Sequence, residues 1–192
     1  MQLHLEFADA DTHWAKEAVH DMGSRMVVSG IGNDTYEPNR DITRAEFAAI
    51  IVRALGLKPG LGESIFKDVL PHEWYSGYIE TAFEYKIITG YNADTFAPSD
   101  EITREQAIAV VARAMKITKL AVELDANEVS KILGSFADAD KSAVYAKNNI
   151  AACVKAGIVS GRSDNMIAPK ANITRAEAAA IVRRLLQKSN LI

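Results

Sequence analysis

Three arginines are the residues whose type and spacing point most directly to chemistry. Arg44, Arg104 and Arg175 each follow an Ile-Thr pair, at successive offsets of 60 and 71 residues. Three residues after each threonine stands a side chain that can complete a capping box: Glu46, Gln106 and Glu177. Each arginine is therefore predicted to lie in the first turn of a helix, where the helix dipole disfavours a cation. We interpret the arginines as partners of a bound anion, held jointly by the guanidinium group and the helix amides.

The same arginines also have a structural explanation. A Phe-x-Asp sequence opens each repeating unit, and its aspartates are Asp9, Asp68 and Asp138. A salt bridge from each arginine to one of these carboxylates would hold a unit to its neighbour. Anion binding and the salt bridge remain alternatives at this point.

Aromatic residues and glycines recur with the same offsets. The aromatic positions are Trp14, Trp74 and Tyr145, and the glycines are Gly30, Gly90 and Gly161. The rings are predicted either to fill the core or to stack on a sugar ring. The glycines are predicted either to end the preceding helix in the left-handed conformation or to let a ligand approach the backbone. An aromatic ring beside an arginine would suit an acidic saccharide.

The recurrences define three tandem units, at residues 5–58, 64–118 and 134–188. Each unit has two stretches of helical periodicity separated by a loop of turn-forming residues. Residues 118–133 form an insertion in which Asp125-x-x-Glu128 predicts a short capped helix. One unit cannot bury its apolar faces alone, so we expect all 192 residues to form a single all-α module closed around a shared axis.

Composition excludes several classes of protein. The net charge is −3 without a block of Lys or Arg, which argues against nucleic-acid binding, and no segment is apolar enough to cross a membrane. The single cysteine, Cys153, excludes an internal disulfide and a multi-thiolate metal site, and it falls on a buried helix face as an inert thiol. No pair of acid and base and no activated nucleophile is apparent. We therefore expect a non-enzymatic module without a metal or a cofactor.

The combined pattern resembles the S-layer homology family over nearly the whole chain. The order is Phe-x-Asp, an aromatic residue, Gly, Pro and Ile-Thr-Arg-Ala-Glu, which is intact at Thr43 to Glu46 and at Thr174 to Glu177. The resemblance implies three helix-loop-helix repeats in a pseudo-threefold trimer with a central three-helix bundle. It also implies inter-repeat grooves that bind a secondary cell wall polymer, often through pyruvylated N-acetylmannosamine. The arginines would face the ketal carboxylate, and the aromatic residues and glycines would shape the groove.

The resemblance further implies an extracellular place at the bacterial cell surface, in the cell wall or S-layer, and a module that is monomeric. Three departures from the pattern weaken particular sites: Gln106 replaces an acid, Tyr145 replaces a tryptophan, and Ile167 replaces the aromatic residue found at Tyr36 and Phe96. The alternative function is a helical protein–protein interaction array on the cell surface. A protein-only scaffold, however, does not need an arginine in every unit.

Overall fold

The computed structural model describes residues 5–120 and 122–192 and shows an all-α chain. The first four residues of the predicted module lie outside this range. Seven α-helices are formed by the described residues: α1 Lys16–Ser24, α2 Arg44–Ala54, α3 Ser76–Glu84, α4 Arg104–Ile117, α5 Ala126–Leu133, α6 Val144–Lys155 and α7 Arg175–Lys188. Isolated β-bridges occur among these residues, but no extended strand does. The helical class predicted from the sequence is confirmed, with two helices in each repeat and α5 in the insertion.

Capping boxes start the second helix of every repeat, as predicted. The Thr43 hydroxyl accepts the Glu46 amide at 3.2 Å, and the Glu46 carboxylate accepts the Thr43 amide at 2.8 Å. The boxes of Thr103 and Thr174 have the same two bonds. Asp125 caps α5 in the same way, accepting the Glu128 amide at 2.9 Å. These helices begin at residues whose side chains accept hydrogen bonds from amides of the first turn, which have no partner within the helix.

The predicted role of the recurring glycines as helix ends is wrong. The first helices of the repeats end earlier, and the left-handed residues that follow them are Met26, Lys86 and Gly157, with φ of 58°, 59° and 73°. Gly30 lies further along, in the loop, where a Cβ atom would come within 2.6 Å of the Phe7 ring and 2.7 Å of a main-chain oxygen. Gly90 and Gly161 are similarly crowded by the ring of their own Phe-x-Asp sequence. A close backbone approach, rather than positive φ, therefore requires glycine at these positions.

The chain forms two compact units. The first comprises Met1–Glu101 with Ile173–Arg183, and in it α2 packs against α3. The second comprises Ile102–Asn172 with Arg184–Ile192, and in it α6 packs against both α4 and α5. The pseudo-threefold arrangement around a central bundle stays a prediction.

Cys153 lies in the core of the second unit. Its Sγ atom is 3.7 Å from the Met115 Sδ atom and 3.7 Å from the Ile108 carbonyl oxygen. Burial raises the pKa of the Cys153 thiol to about 12, so the group is a neutral core side chain at physiological pH.

Among the described residues, no helix combines the length and the apolar character that crossing a bilayer requires.

Candidate functional site

The recurring arginines are buried, and each donates to the loop of a different repeat. Arg44 in α2 is 7% exposed. Its Nε atom donates to the Phe96 carbonyl at 2.8 Å, and its Nη2 atom donates to the Thr89 carbonyl at 3.2 Å. Both carbonyls belong to the loop of the second repeat. Arg44 thus fastens its own helix to the following repeat through main-chain acceptors.

The other two arginines make the same pair of bonds. Arg104 donates to the carbonyls of Ile167 and Ser160 in the third-repeat loop, at 2.8 and 3.3 Å. Arg175 donates to the carbonyls of Tyr36 and Ser29 in the first-repeat loop, at 2.7 and 2.6 Å. The accepting residues occupy equivalent positions in the three loops. Because the acceptors are main-chain atoms, this contact depends on loop conformation rather than on loop side chains.

The first-turn amides of these helices are occupied as well. The Arg44 amide donates to the Asp100 carbonyl at 2.9 Å, and the next amide, of Ala45, donates to the Pro98 carbonyl at 3.0 Å. The amides of Arg104 and Arg175 donate to loop carbonyls at 2.8 Å in each case. The predicted use of these amides to hold an anion is therefore wrong, because the adjacent loop satisfies them first.

The aspartates of the Phe-x-Asp sequences do not form the alternative salt bridges. Asp68 accepts the amides of Phe96 and Ala97 at 2.9 and 2.7 Å. Asp9 and Asp138 accept the equivalent pairs of amides in their own loops. Each aspartate therefore fixes the loop that an arginine of another repeat then contacts. In the described part of the chain, no ion pair joins these aspartates to the three arginines.

Aromatic rings lie against two of the arginines. The Arg44 Cζ atom lies 4.3 Å from the centre of the Tyr91 ring and 4.6 Å from that of Phe96. The Arg175 Cζ atom lies 4.4 Å from the centre of the Tyr36 ring. Tyr91 is half exposed and directly follows Gly90. The sequence analysis missed it, although the position after the recurring glycine carries a large side chain in every repeat: Ile31, Tyr91 and Arg162.

The three recurring aromatic residues lie on the surface. Trp14, Trp74 and Tyr145 are 65%, 55% and 52% exposed, so the interpretation of them as core residues is wrong. Trp14 packs its ring against His13, at 5.3 Å between ring centres. An exposed indole or phenol face at the start of the first helix in each repeat can stack on a flat apolar surface such as a sugar ring.

Half-buried arginines lie near two of these rings. Arg53 donates from Nε to the Tyr78 hydroxyl at 3.2 Å and lies over the Tyr78 ring, whose centre is 6.4 Å from that of Trp74. Arg113 is close enough to Tyr145 for an electrostatic interaction. Burial lowers the pKa of Arg113, and Tyr145 opposes that effect. Arg53 and Arg113 thus add two basic side chains beside the exposed aromatic residues.

Carboxylates support the sites differently in the two units. In the first unit, Glu46 accepts Arg40 Nη2 at 2.7 Å and lies 3.3 Å from Arg175 Nη1. Burial raises the pKa of Glu46, but hydrogen bonds from the Thr43 amide and Arg40 and the charge of Arg175 outweigh it, so the pKa is lowered.

In the second unit, Glu105 is buried where the other repeats have alanine, at Ala45 and Ala176. It accepts the Ala143 amide at 2.9 Å and the Lys170 Nζ atom at 2.5 Å. It therefore joins the start of α6 to the third-repeat loop.

Repeats of this geometry define an S-layer homology module, and comparison with known proteins agrees. Residues 6–48, 65–108 and 135–179 match the family model described as the S-layer homology domain. This chain belongs to that family.

Among its relatives, the chain is 39% identical over 186 residues to an amylopullulanase of Thermoanaerobacterium thermosulfurigenes, covering 97% of the chain and 10% of that protein. It is 32% identical over 177 residues to the surface-layer 125 kDa protein of Lysinibacillus sphaericus, covering 91% and 14%. It is 32% identical over 111 residues to a cellulosome-anchoring protein of Acetivibrio thermocellus, covering 55% and 25%. The chain thus spans a quarter or less of the length of each of these relatives.

Proposed function

We propose that this chain anchors a larger protein to the bacterial cell wall by binding an acidic secondary cell wall polymer without a covalent bond. Membership of the S-layer homology family makes it a cell-surface anchoring module located outside the cell. The activities in the names of enzymatic relatives belong to those proteins, and we infer that this chain supplies attachment rather than catalysis. A module that is monomeric and needs no cofactor is sufficient for that task.

The observation that carries the proposal is the exposed aromatic residue at the same place in every repeat. Burying Trp14 or Trp74 in the protein core would contribute about 1.5–3 kcal/mol, yet both rings face solvent. An indole on a surface can recover this free energy by covering the apolar face of a sugar. Tyr145 offers the same contact with a smaller ring. We therefore propose that Trp14, Trp74 and Tyr145 each stack on a saccharide unit.

The acidic part of the ligand is assigned to the loops that the arginines hold. Bonds to neutral carbonyls leave the formal charge of a guanidinium group in place, and we propose that Arg44, Arg104 and Arg175 attract an anion to the loops they hold, with Glu46 offsetting part of the charge of Arg175. Gly30, Gly90 and Gly161 each pack against the phenylalanine ring of their own repeat, and we propose that they contribute by setting the loop conformation that faces the ligand. We propose that a pyruvyl-type carboxylate binds there, with the arginines as its cationic partners.

A second function, a protein–protein interaction array, is favoured by one observation in the first unit. Three large apolar side chains are exposed near the junction of the first and second repeats: Leu61 in the connection, and Ile65 and Leu70 at the start of the second repeat. Neighbouring exposed apolar residues mark protein-binding surfaces when they form a continuous patch. Leu61, Ile65 and Leu70 are not among the recurring site residues, so they can be mutated separately from the proposed polymer site.

The test is co-sedimentation of the chain with wall sacculi stripped of protein, before and after chemical removal of pyruvate. We expect the untreated sacculi to bind the chain and depyruvylation to weaken binding about tenfold or more, the value of one or two charge-assisted hydrogen bonds. Trp74→Ala should weaken binding, whereas Tyr85→Ala, a change of an equally exposed ring at the end of α3, should not.

The outcomes separate the candidates. Unchanged binding after depyruvylation would remove the acidic substituent from the proposal. Failure to bind stripped sacculi, combined with binding to sacculi that retain protein, would favour the interaction array instead. Loss of that second type of binding in Leu61→Ser would then identify the exposed connection as the contact.

A further inference from the structure

A groove of about 710 Å³ lies between the insertion helix α5 and the start of α6, wholly within the second unit. Its volume falls in the range of about 300–1,000 Å³ that is typical of ligand clefts. The segments that match the family stop at residue 108 and resume at residue 135, so α5 lies outside them. One wall of this groove is therefore formed by a helix that the repeats themselves do not contain.

The lining combines an apolar floor with a polar rim. Val129, Leu133 and Phe136 supply the floor. The rim carries four polar side chains: Ser130, Asp140, Lys147 and Asn148. Within residues 5–120 and 122–192, none of these four side chains forms a hydrogen bond or an ion pair. Donors and acceptors that converge on one cleft while lacking protein partners are available to a ligand.

The charges of the rim indicate what kind of ligand fits. Lys147 and Asp140 have opposite signs, so the groove carries no net charge from its lining. An anionic ligand would gain from Lys147 and lose to Asp140, whereas a neutral ligand rich in hydroxyl and amide groups can bond to both. The apolar floor suits the C–H face of a pyranose ring.

The groove adjoins the proposed polymer site of the third repeat. Val144, the first residue of α6, lines the groove and is 88% exposed, and Tyr145 is the next residue. We propose that the groove binds neutral sugar residues of the wall polymer, next to the unit that stacks on Tyr145. This inference rests on the proposed polymer-binding function and extends the third-repeat site along the saccharide chain.

The experiment compares two probes by calorimetry: a synthetic methyl glycoside of pyruvylated N-acetylmannosamine, and purified wall-polymer fragments of several repeating units. Ser130→Trp places a large ring in the groove from an exposed position of α5, so it removes no buried contact. Lys131→Trp is the matched control, because Lys131 is also exposed on α5 but does not line the groove. We expect Ser130→Trp to weaken fragment binding by about tenfold and to leave glycoside binding unchanged, and Lys131→Trp to change neither.

A second variant keeps the test independent of the added ring. Asp140→Ala with Lys147→Ala removes rim groups without filling the groove and should also weaken only fragment binding. Equal fragment affinity in the wild type, Ser130→Trp and the double variant would overturn the groove assignment while the anchoring proposal stands. So would a concentration-dependent dimer that Ser130→Trp abolishes, because the occupant would then be a second copy. A wild-type chain that binds neither probe would instead overturn the polymer-binding function itself, and this inference with it.

Discussion

The arginine contacts of the two compact units share one hydrogen-bonding geometry but differ in the side chains around it. Arg44 and Arg104 both donate from Nε to a loop carbonyl at 2.8 Å. In the first unit the accepting residue is Phe96, whose ring also lies under the guanidinium group. In the second unit it is Ile167, which has no ring to offer. The hydrogen bond from arginine Nε to a loop carbonyl is therefore common to both units. In the first unit, an aromatic ring at the accepting residue also contacts the guanidinium group.

The carboxylates near the start of the arginine-bearing helices also differ between the two units. Glu46 completes a capping box in the first unit and also lies beside Arg175. The equivalent residue in the second unit, Gln106, completes the box but cannot form an ion pair. A carboxylate appears one residue earlier instead, at Glu105, where it binds a different amide and Lys170. The equivalent helix starts of the two units are thus stabilised by different polar side chains. Mutation can measure how much each set of contacts contributes to the free energy of unfolding.

The largest expected effect is on the free energy of unfolding, when Arg175 in the first unit and Arg104 in the second unit are replaced one at a time. Arg175→Ala should lower the free energy of unfolding by about 3–4 kcal/mol, because it leaves the buried Tyr36 carbonyl without this donor and removes the contacts with the Tyr36 ring and Glu46. Arg104→Ala should cost about 2–3 kcal/mol, because Ile167 stands at the position of Tyr36 and supplies no aromatic ring. Urea unfolding followed by circular dichroism measures both.

Arg25→Ala is the control for this comparison. Arg25 pairs with Asp21 at the surface, so its removal should cost less than about 1 kcal/mol. If Arg104→Ala lowered the free energy of unfolding as much as Arg175→Ala, the Tyr36 ring and the Glu46 carboxylate of the first unit would add no stability. If both matched Arg25→Ala, the buried carbonyl bonds would not stabilise the fold.

The next effect on stability concerns Glu105, a carboxylate that stands where the other repeats have Ala45 and Ala176. Glu105→Ala should lower the free energy of unfolding by about 1–2 kcal/mol, because the Ala143 amide loses its acceptor at the start of α6. Glu105→Gln should cost less, since an amide oxygen can still accept that hydrogen bond. Lys170→Ala should cost under about 1 kcal/mol, because the lysine side chain is largely exposed. A larger loss from Lys170→Ala than from Glu105→Ala would show that the ion pair, not the amide bond, stabilises this contact.

Local features of this chain followed from the sequence, and long-range ones did not. Thr43 and Glu46 predicted their capping box because both partners lie within one helical turn. Arg44 was correctly placed in the first turn, but its acceptors are the carbonyls of Thr89 and Phe96, 45 and 52 residues away. A main-chain acceptor leaves no residue-type signal in a sequence, so the sequence favours an aspartate as the partner of the arginine.

The remaining errors have similar causes. Gly30 recurs because a Phe7 ring approaches it, which is a tertiary contact, whereas glycine's freedom at positive φ is the only local explanation that a sequence offers. Trp14 gave no indication of its exposure, because an aromatic residue at a helix start suits either the core or a ligand. Glu105 is visible in the sequence as a departure from alanine at Ala45 and Ala176, and that departure was the one available signal for the network it forms.

Acidic pH should lower the stability of the first unit by protonating the Glu46 carboxylate. The folded-state pKa of this group is lowered, so its contribution to stability is present above the ordinary carboxyl pKa and is lost as pH falls through the lowered value. Glu46→Gln keeps a capping side chain but cannot pair with Arg40 or Arg175. We expect this variant to be less stable than the wild type at neutral pH and the difference to shrink at acidic pH, measured by thermal unfolding across that range. A difference that stays constant with pH would assign the role of Glu46 to capping alone.

The smallest expected effect is on ligand binding, and it ranks the third repeat below the other two. Tyr145 has a smaller ring than Trp14 or Trp74, and Ile167 gives Arg104 no aromatic support. Tyr145→Trp should therefore strengthen polymer binding, by about 0.5 kcal/mol or roughly twofold, through added stacking area. Because Tyr145 is already half exposed beside Arg113, the larger ring needs no rearrangement of the core. Calorimetry with polymer fragments measures the change, and Tyr85→Trp, an equally exposed substitution at the end of α3, controls for nonspecific stacking. A gain equal to that of Tyr85→Trp, or a loss from Tyr145→Ala greater than that from Trp74→Ala, would reverse the ranking and make the third repeat the principal site.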